Sequence, residues 1–208
     1  MTMLTIWGRA NSINVMKVLW ICTELGLAYE RRDAGLQYGV VDTPEYGAMN
    51  PNRRVPTLSD GDFVLWESNT IVRYLAARER RFDLLPETAR GRADVERWMD
   101  WATSTLAIPM TPVFWQLIRT PAERRDHAVL DRSRSDAARC FAILEAQLAG
   151  RAYICGDLLT AADIAVAPFV HRWFALPVEH GETPTLRGYY QRLLGRPGFL
   201  AHCAQPLS

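Results

Sequence analysis

The chain has 208 residues and a mass of 23.6 kDa, room for one large domain or two small ones. Hydrophobic residues make up 49% and charged ones 23%, which excludes a disordered tail or linker and allows a sizeable core. A formal net charge of +1 excludes a strong electrostatic case for nucleic acid as the main partner.

In the first 81 residues the pattern changes about every ten positions. Residues 3–7 form a short apolar run that reads as a strand. From Ile13, the positions Val15, Val18, Leu19, Cys22 and Leu25 follow helical spacing, and Gly26 stands where a helix would stop. Residues 29–33 are a weaker second strand, followed by a loop and a short helical stretch over Pro44–Met49. The runs 57–59 and Phe63–Trp66 flank Asp60-Gly61-Asp62, a hairpin signal. Ser68 then opens a helix with Ile71, Val72, Leu75 and Ala76 on one face. The order β-α-β-α-β-β-α describes a small α/β domain with a mixed sheet.

A linker is expected over 82–89, and beyond it the strand signals almost vanish. Helical patterns cover 89–107, 122–149, 160–173 and 186–194, with Pro109, Pro112, Pro121, Pro177, Pro184 and Pro197 as punctuation. The 90–208 part therefore reads as all-helical. Within it, Thr160 and Asp163 stand at capping-box spacing, with Leu159 and Ile164 at the hydrophobic-staple positions.

The four cysteines, Cys22, Cys140, Cys155 and Cys203, form no CxxC, and the histidines form no HxxxH or HExxH. No metal site and no dithiol redox centre are expected from such a chain. No apolar run approaches the roughly 20 residues of a membrane span, and no signal-peptide pattern is visible, so no membrane partner and a cytoplasmic setting are expected.

Three short segments of the first domain carry chemistry. Arg9-Ala10-Asn11-Ser12-Ile13-Asn14 puts hydroxyl, amide and backbone N–H groups at a helix N-terminus, an end that favours anions, thiolates included. The plainer reading is that Asn11 or Ser12 caps the helix. Val55-Pro56, running straight into a strand, is a candidate cis peptide that would turn the Val55 N–H and C=O toward an extended peptide ligand. An ordinary trans proline at a strand start is the alternative. In Glu67-Ser68, a hydroxyl and an N–H at a helix start can bind a carboxylate while the neighbouring acid accepts from an ammonium group. A Ser cap preceded by an acid reads the same way without any ligand.

Taken in this order across an α/β part and a helical part, Ser12, Val55-Pro56, Glu67-Ser68, and Gly156-Asp157 with Thr160-Ala161-Ala162-Asp163 resemble the cytosolic glutathione transferase family over essentially the whole chain. The resemblance implies a thioredoxin-like glutathione-binding domain over 1–81 and an all-helical domain over 90–208 that contributes the electrophile pocket. It implies glutathione as co-substrate, no metal, and a homodimer. Val55 would pair its backbone with the cysteinyl part of glutathione, with Pro56 cis. Ser68, assisted by Glu67, would hold the γ-glutamyl end, and Arg54, or else Arg53, the glycine carboxylate. Ser12 matches the serine by which theta- and delta-like members donate to the glutathione sulfur. The run from Ser12 through Asn14 to Lys17 is also similar to the Thr-Pro-Asn-x-x-Lys pattern of bacterial nu-type members, which makes Asn14 a second sulfur-contact candidate, although Ile13 replaces the proline. The implied activity is conjugation of glutathione to small hydrophobic electrophiles. A nu-like disulfide or peroxide reductase and a non-catalytic binding protein are the alternatives. Arg9, Trp101, Phe114, Trp115 and Trp173 are the expected pocket residues, each with core packing as the plainer reading.

Overall fold

The structure, a computed structural model, describes residues 3–208. The first two positions of the expected 1–81 domain lie outside the described residues. Strand β1 (Leu4–Trp7), helix α1 (Ile13–Leu25), strand β2 (Tyr29–Arg32), helix α2 (Pro44–Met49), strands β3 (Thr57–Asp60) and β4 (Phe63–Trp66) and helix α3 (Ser68–Arg78) follow the predicted order. The sheet runs β2-β1-β3-β4, with β1 parallel to β2 and antiparallel to β3. Leu4 and Ile6 of β1 are buried and alternate with half-buried Thr5 and Trp7, as a period of two demands. Asp60 pairs with Phe63 across the predicted hairpin, and Gly61 takes the φ of +63° that the tight turn needs.

The second part is helical: α4 (Ala89–Trp101), α5 (Ala107–Phe114), α6 (His127–Leu148), α7 (Ala161–Ala175), α8 (Pro184–Leu194) and α9 (Pro197–His202). Pro109 and Pro112 do not end a helix as expected. A π-helical stretch over Ala102–Leu106 joins α4 to α5, and a second, Trp115–Arg119, continues it, so one helical path runs from 89 to 119. Both prolines lie within α5, between the two π stretches, so neither ends the helical path. The third helix begins at His127 rather than near 122, because the Asp126 carboxylate accepts from the Val129 N–H at 3.0 Å and caps it there. Helix α9 went unpredicted; six residues give no periodic signal.

Helix α1 couples the two parts. Every residue from Val15 to Cys22 is buried, because α3 packs on one side and α7 and α9 on another. Trp20 meets the Phe199 ring edge-on at 5.1 Å, and a Cβ on Gly198 would lie 2.7 Å from the Trp20 ring, so the closeness of α9 depends on that glycine. Arg196 pairs with Glu24 at 2.6 Å, and the Ala161 N–H donates to the Leu84 carbonyl at 2.9 Å, docking the segment between α3 and α4 on α7. Among the described residues no helix is long and apolar enough to cross a membrane.

Candidate active site

The end of β1 passes so close to α1 that a Cβ on Gly8 would lie 2.4 Å from Val15 Cγ2. This fixes where the first turn emerges. Ser12 is the N-cap residue: its backbone is extended and its carbonyl accepts from the Met16 N–H at 2.9 Å. Its side chain makes no capping hydrogen bond and is 7% exposed, so the expected alternative role as a simple cap is not what the hydroxyl does. Asn14, two residues further on, accepts from the Ser68 hydroxyl at 3.2 Å through Oδ1.

The segment from Asn50 to Thr57 is held from beneath. The Tyr46 hydroxyl and Asn50 Nδ2 each donate to the Arg54 carbonyl at 2.8 Å, and both also meet the Thr57 hydroxyl, at 2.8 and 3.1 Å. The Val55–Pro56 bond is cis. Arg53 Nη1 donates to the carbonyls of Val41 at 3.2 Å and Thr43 at 3.0 Å, so this guanidinium ties down the 40s loop. Arg54 makes no such tie and lines the site instead. Glu67 is exposed with a φ of +72°, and buried Ser68 starts α3 behind it.

These segments enclose a cavity of about 340 Å³ lined by Arg9, Ser12, Asn14, Arg54, Val55 and Trp115, with Arg53 and the loop around Leu36 and Val41 on its wall. A smaller hollow of about 70 Å³ is lined by Asn14, Arg54, Val55, Pro56, Glu67 and Ser68. Asn14, Arg54 and Val55 border both, which makes one groove from the first turn of α1 to the start of α3.

The aromatic expectations divide. Trp115, 46% exposed, lines the cavity, and buried Phe114 lies under the guanidinium of Arg172, 3.7 Å from its ring centre. Trp101 does not reach the cavity: it meets Trp98 edge-on at 5.3 Å and borders a separate hollow with Arg97 and Ile143. Trp173 is 2% exposed and stacks on Phe141 at 4.8 Å, which makes it core.

Two features beside the groove escaped the sequence. Arg119 lies over the Phe114 and Trp115 rings at 5.5 and 5.4 Å, and together with Arg172 it joins Arg9 in a basic cluster. Burial and these two neighbours push Arg172 down to about 9. At the ends of helical segments, such residues read as partners of the helix dipole. The other feature is the setting of Lys17, which the sequence marks only as part of the nu-type pattern: it is buried, with its Nζ 3.4 Å from Asn69 Oδ1 and over the Phe169 ring at 5.3 Å. Asn69 Nδ2 in turn donates to the Met99 carbonyl at 2.6 Å and to Thr103 at 3.1 Å, linking α1, α3 and α4 behind the groove.

Residues 2–77 match the family described as glutathione S-transferase, N-terminal domain, and residues 128–192 that described as glutathione S-transferase, C-terminal domain. Glutathione S-transferase GstB of Escherichia coli K12 is 43% identical over 197 residues, covering 94% of this chain and 95% of that protein. Glutathione S-transferase 3 of Zea mays is 32% identical over 206 residues, covering 96% and 92%. Among solved structures, the theta class glutathione S-transferase of Xanthomonas axonopodis pv. citri with glutathione bound matches at a TM-score of 0.96 and 43% identity over the full length of both chains.

Proposed function

The chain belongs to the glutathione S-transferase family, and from that membership we propose that it binds glutathione in the groove and activates its thiol for conjugation to small electrophiles with an apolar body. The observation that carries the reading is the Ser12 hydroxyl, uncommitted to its own helix, on the wall of a cavity that also takes in Arg54 and Val55. Val55 offers its backbone to the cysteinyl unit, Ser68 and Glu67 receive the γ-glutamyl end, and Arg54 the glycine carboxylate. Arg53 is occupied by the 40s loop, which favours Arg54 for that role.

A free thiol with a pKa near 8.5 is about 3% ionised at pH 7. Lowering that pKa by about two units takes roughly 2.7 kcal/mol of preferential stabilisation of the thiolate, within reach of hydrogen bonds from Ser12 and Asn14 together with the N-terminal field of α1. Ionisation alone then yields at most a factor of about 30. The remaining acceleration comes from holding the electrophile against the sulfur, the task assigned to the cavity around Trp115. The reading includes a homodimer and a cytoplasmic location. Light scattering at one chain mass would remove the dimer.

Titration of glutathione into the purified protein by calorimetry tests the core of the reading. Binding with proton release near neutral pH, and saturable turnover of an aryl halide, are expected. Silence in both defeats it.

A further inference from the structure

Several partly buried arginines of this chain face an acid, Arg31 with Asp33, Arg73 with Asp100, Arg78 with Asp60 and Arg196 with Glu24, while Arg92 and Arg125 donate to main-chain carbonyls. Arg9, Arg119 and Arg172 differ. Among the described residues none of the three pairs with an Asp or Glu, although Arg119 and Arg172 lie over the same Phe114 ring, at 5.5 and 3.7 Å, and Arg119 also lies over Trp115, which lines the cavity with Arg9. The Nε atoms of Arg9 and Arg119 are buried without a hydrogen-bond partner. Arg119 gives Nη2 to the Ser208 main-chain oxygen at 2.8 Å, an oxygen it shares with Asn11 Nδ2 at 3.3 Å. The Arg172 guanidinium lies over Phe114, 3.7 Å from its ring centre, a contact that fixes its position.

Three like charges gathered in a half-buried place repel one another and stay there at a cost unless an anion is received among them. The cavity wall repeats the bias: it includes Arg9, Arg53 and Arg54 and no Asp or Glu. The carboxylates of glutathione are already provided for on the 50–68 side of the groove. Arg9, just past the end of β1, lines the cavity together with Trp115 of the helical domain.

Resting on the transferase reading, the geometry points to an acidic second substrate: a small electrophile whose carboxylate is received by Arg9, Arg119 and Arg172 while its apolar body lies along Trp115 and its reactive carbon faces the glutathione sulfur. Guanidinium forks match a planar carboxylate, and the ring of Trp115 supplies the apolar wall. For an aryl chloride the step balances simply. The thiol proton passes to solvent, the thiolate forms a C–S bond at the ring carbon that carries chlorine, the C–Cl bond breaks, and chloride leaves with its electron pair.

The test compares 4-chloro-3,5-dinitrobenzoate with 4-chloro-3,5-dinitrobenzamide, each kcat/KM divided by the uncatalysed rate constant with glutathione. The benzoate is expected to be favoured by about tenfold or more, the scale of a charge-assisted hydrogen bond. That preference should collapse in Arg119→Met and Arg172→Met and be retained in part by Arg119→Lys. Equal or better use of the benzamide by the native protein overturns the proposal and leaves the transferase reading standing. Turnover of neither substrate, with no glutathione binding by calorimetry, removes that reading and the proposal with it. Unreactive 3,5-dinitrobenzoate and 3,5-dinitrobenzamide, titrated into the native protein saturated with glutathione, decide the matter should the Met variants fail to fold: tighter binding of the acid upholds the cluster's role, and equal binding overturns it.

Discussion

Ser68 donates its hydroxyl to Asn14 Oδ1 across 3.2 Å, joining the start of α3 to the first turn of α1 although 54 residues separate them in sequence. The bond commits the Asn14 oxygen and leaves its Nδ2 as a donor at the edge of the cavity. A residue proposed for the glutamyl end of glutathione thereby orients one proposed for the sulfur.

That link predicts coupled behaviour. Asn14→Ala and Ser68→Ala should each lower kcat/KM for glutathione by about tenfold, the effect of one hydrogen bond to a charged group. The double variant should lose less than the product of the two, with a coupling of roughly 1 kcal/mol in a double-mutant cycle. Strictly additive losses would mean that the two side chains act on separate parts of the ligand.

Ser12 invites a separation of stability from activity. An N-cap serine that bonds to its helix typically contributes about 1 kcal/mol, and this one makes no such bond. Ser12→Ala should therefore shift Tm by less than about 2 °C while lowering kcat/KM by about 10–100-fold, because a donor to the thiolate is lost. The pH profile should move with it, the apparent pKa of the bound thiol rising toward its free value. A large fall in Tm together with an unmoved pH profile would show that the hydroxyl serves the fold.

The sequence was informative where a local rule had one solution. The hairpin at Asp60-Gly61-Asp62, the stop at Gly26 and the Thr160–Asp163 pairing are each decided within a few residues, and the chain adopts them. The helix through Pro109 and Pro112 was not legible, since the local rule reads proline as a helix end while here the path continues through α5 and its flanking π stretches, packed against α6 and α7. Trp101, Phe114, Trp115 and Trp173 looked alike as aromatic residues in a helical domain. Their different surroundings, a separate hollow, a basic cluster, the cavity and the core, follow from which face of each helix turns inward. Arg119 and Arg172 lie 53 positions apart, and nothing short of the fold brings them to Arg9.

Asp163 predicts the largest loss of stability. It is fully buried, and its carboxylate accepts from the Thr160 N–H at 2.8 Å, the Ile154 N–H at 3.0 Å and the Tyr189 hydroxyl at 3.0 Å. Asp163→Ala leaves these donors without an acceptor, a cost of about 3 kcal/mol or more. For a chain of this size the corresponding fall in Tm is about 10 °C by calorimetry. A fall below about 2 °C would mean that water replaces the carboxylate.

Lys17 makes stability depend on alkaline pH. Burial pushes its ammonium from the ordinary 10.5 down to about 8, against the attraction of Glu67 and Cys203, and the groups that face it are Asn69 from α3 and the Phe169 ring from α7. A folded state that binds fewer protons than the unfolded chain gains stability as pH rises through that window. The penalty of the buried charge is thus present in full below about 8 and is relieved on the way to 10.5. Burial holds the Cys203 thiol well above its ordinary 9.0, which acts in the opposite sense at high pH, but it does so in any variant that keeps the residue. Comparison with Lys17→Met therefore isolates the lysine. Urea unfolding at pH 7 and pH 10 should find the native protein gaining about 2 kcal/mol on the variant over that interval. A difference that stays constant would mean that Lys17 keeps its proton in the folded state throughout, with Asn69 and Phe169 fully replacing the water it gave up.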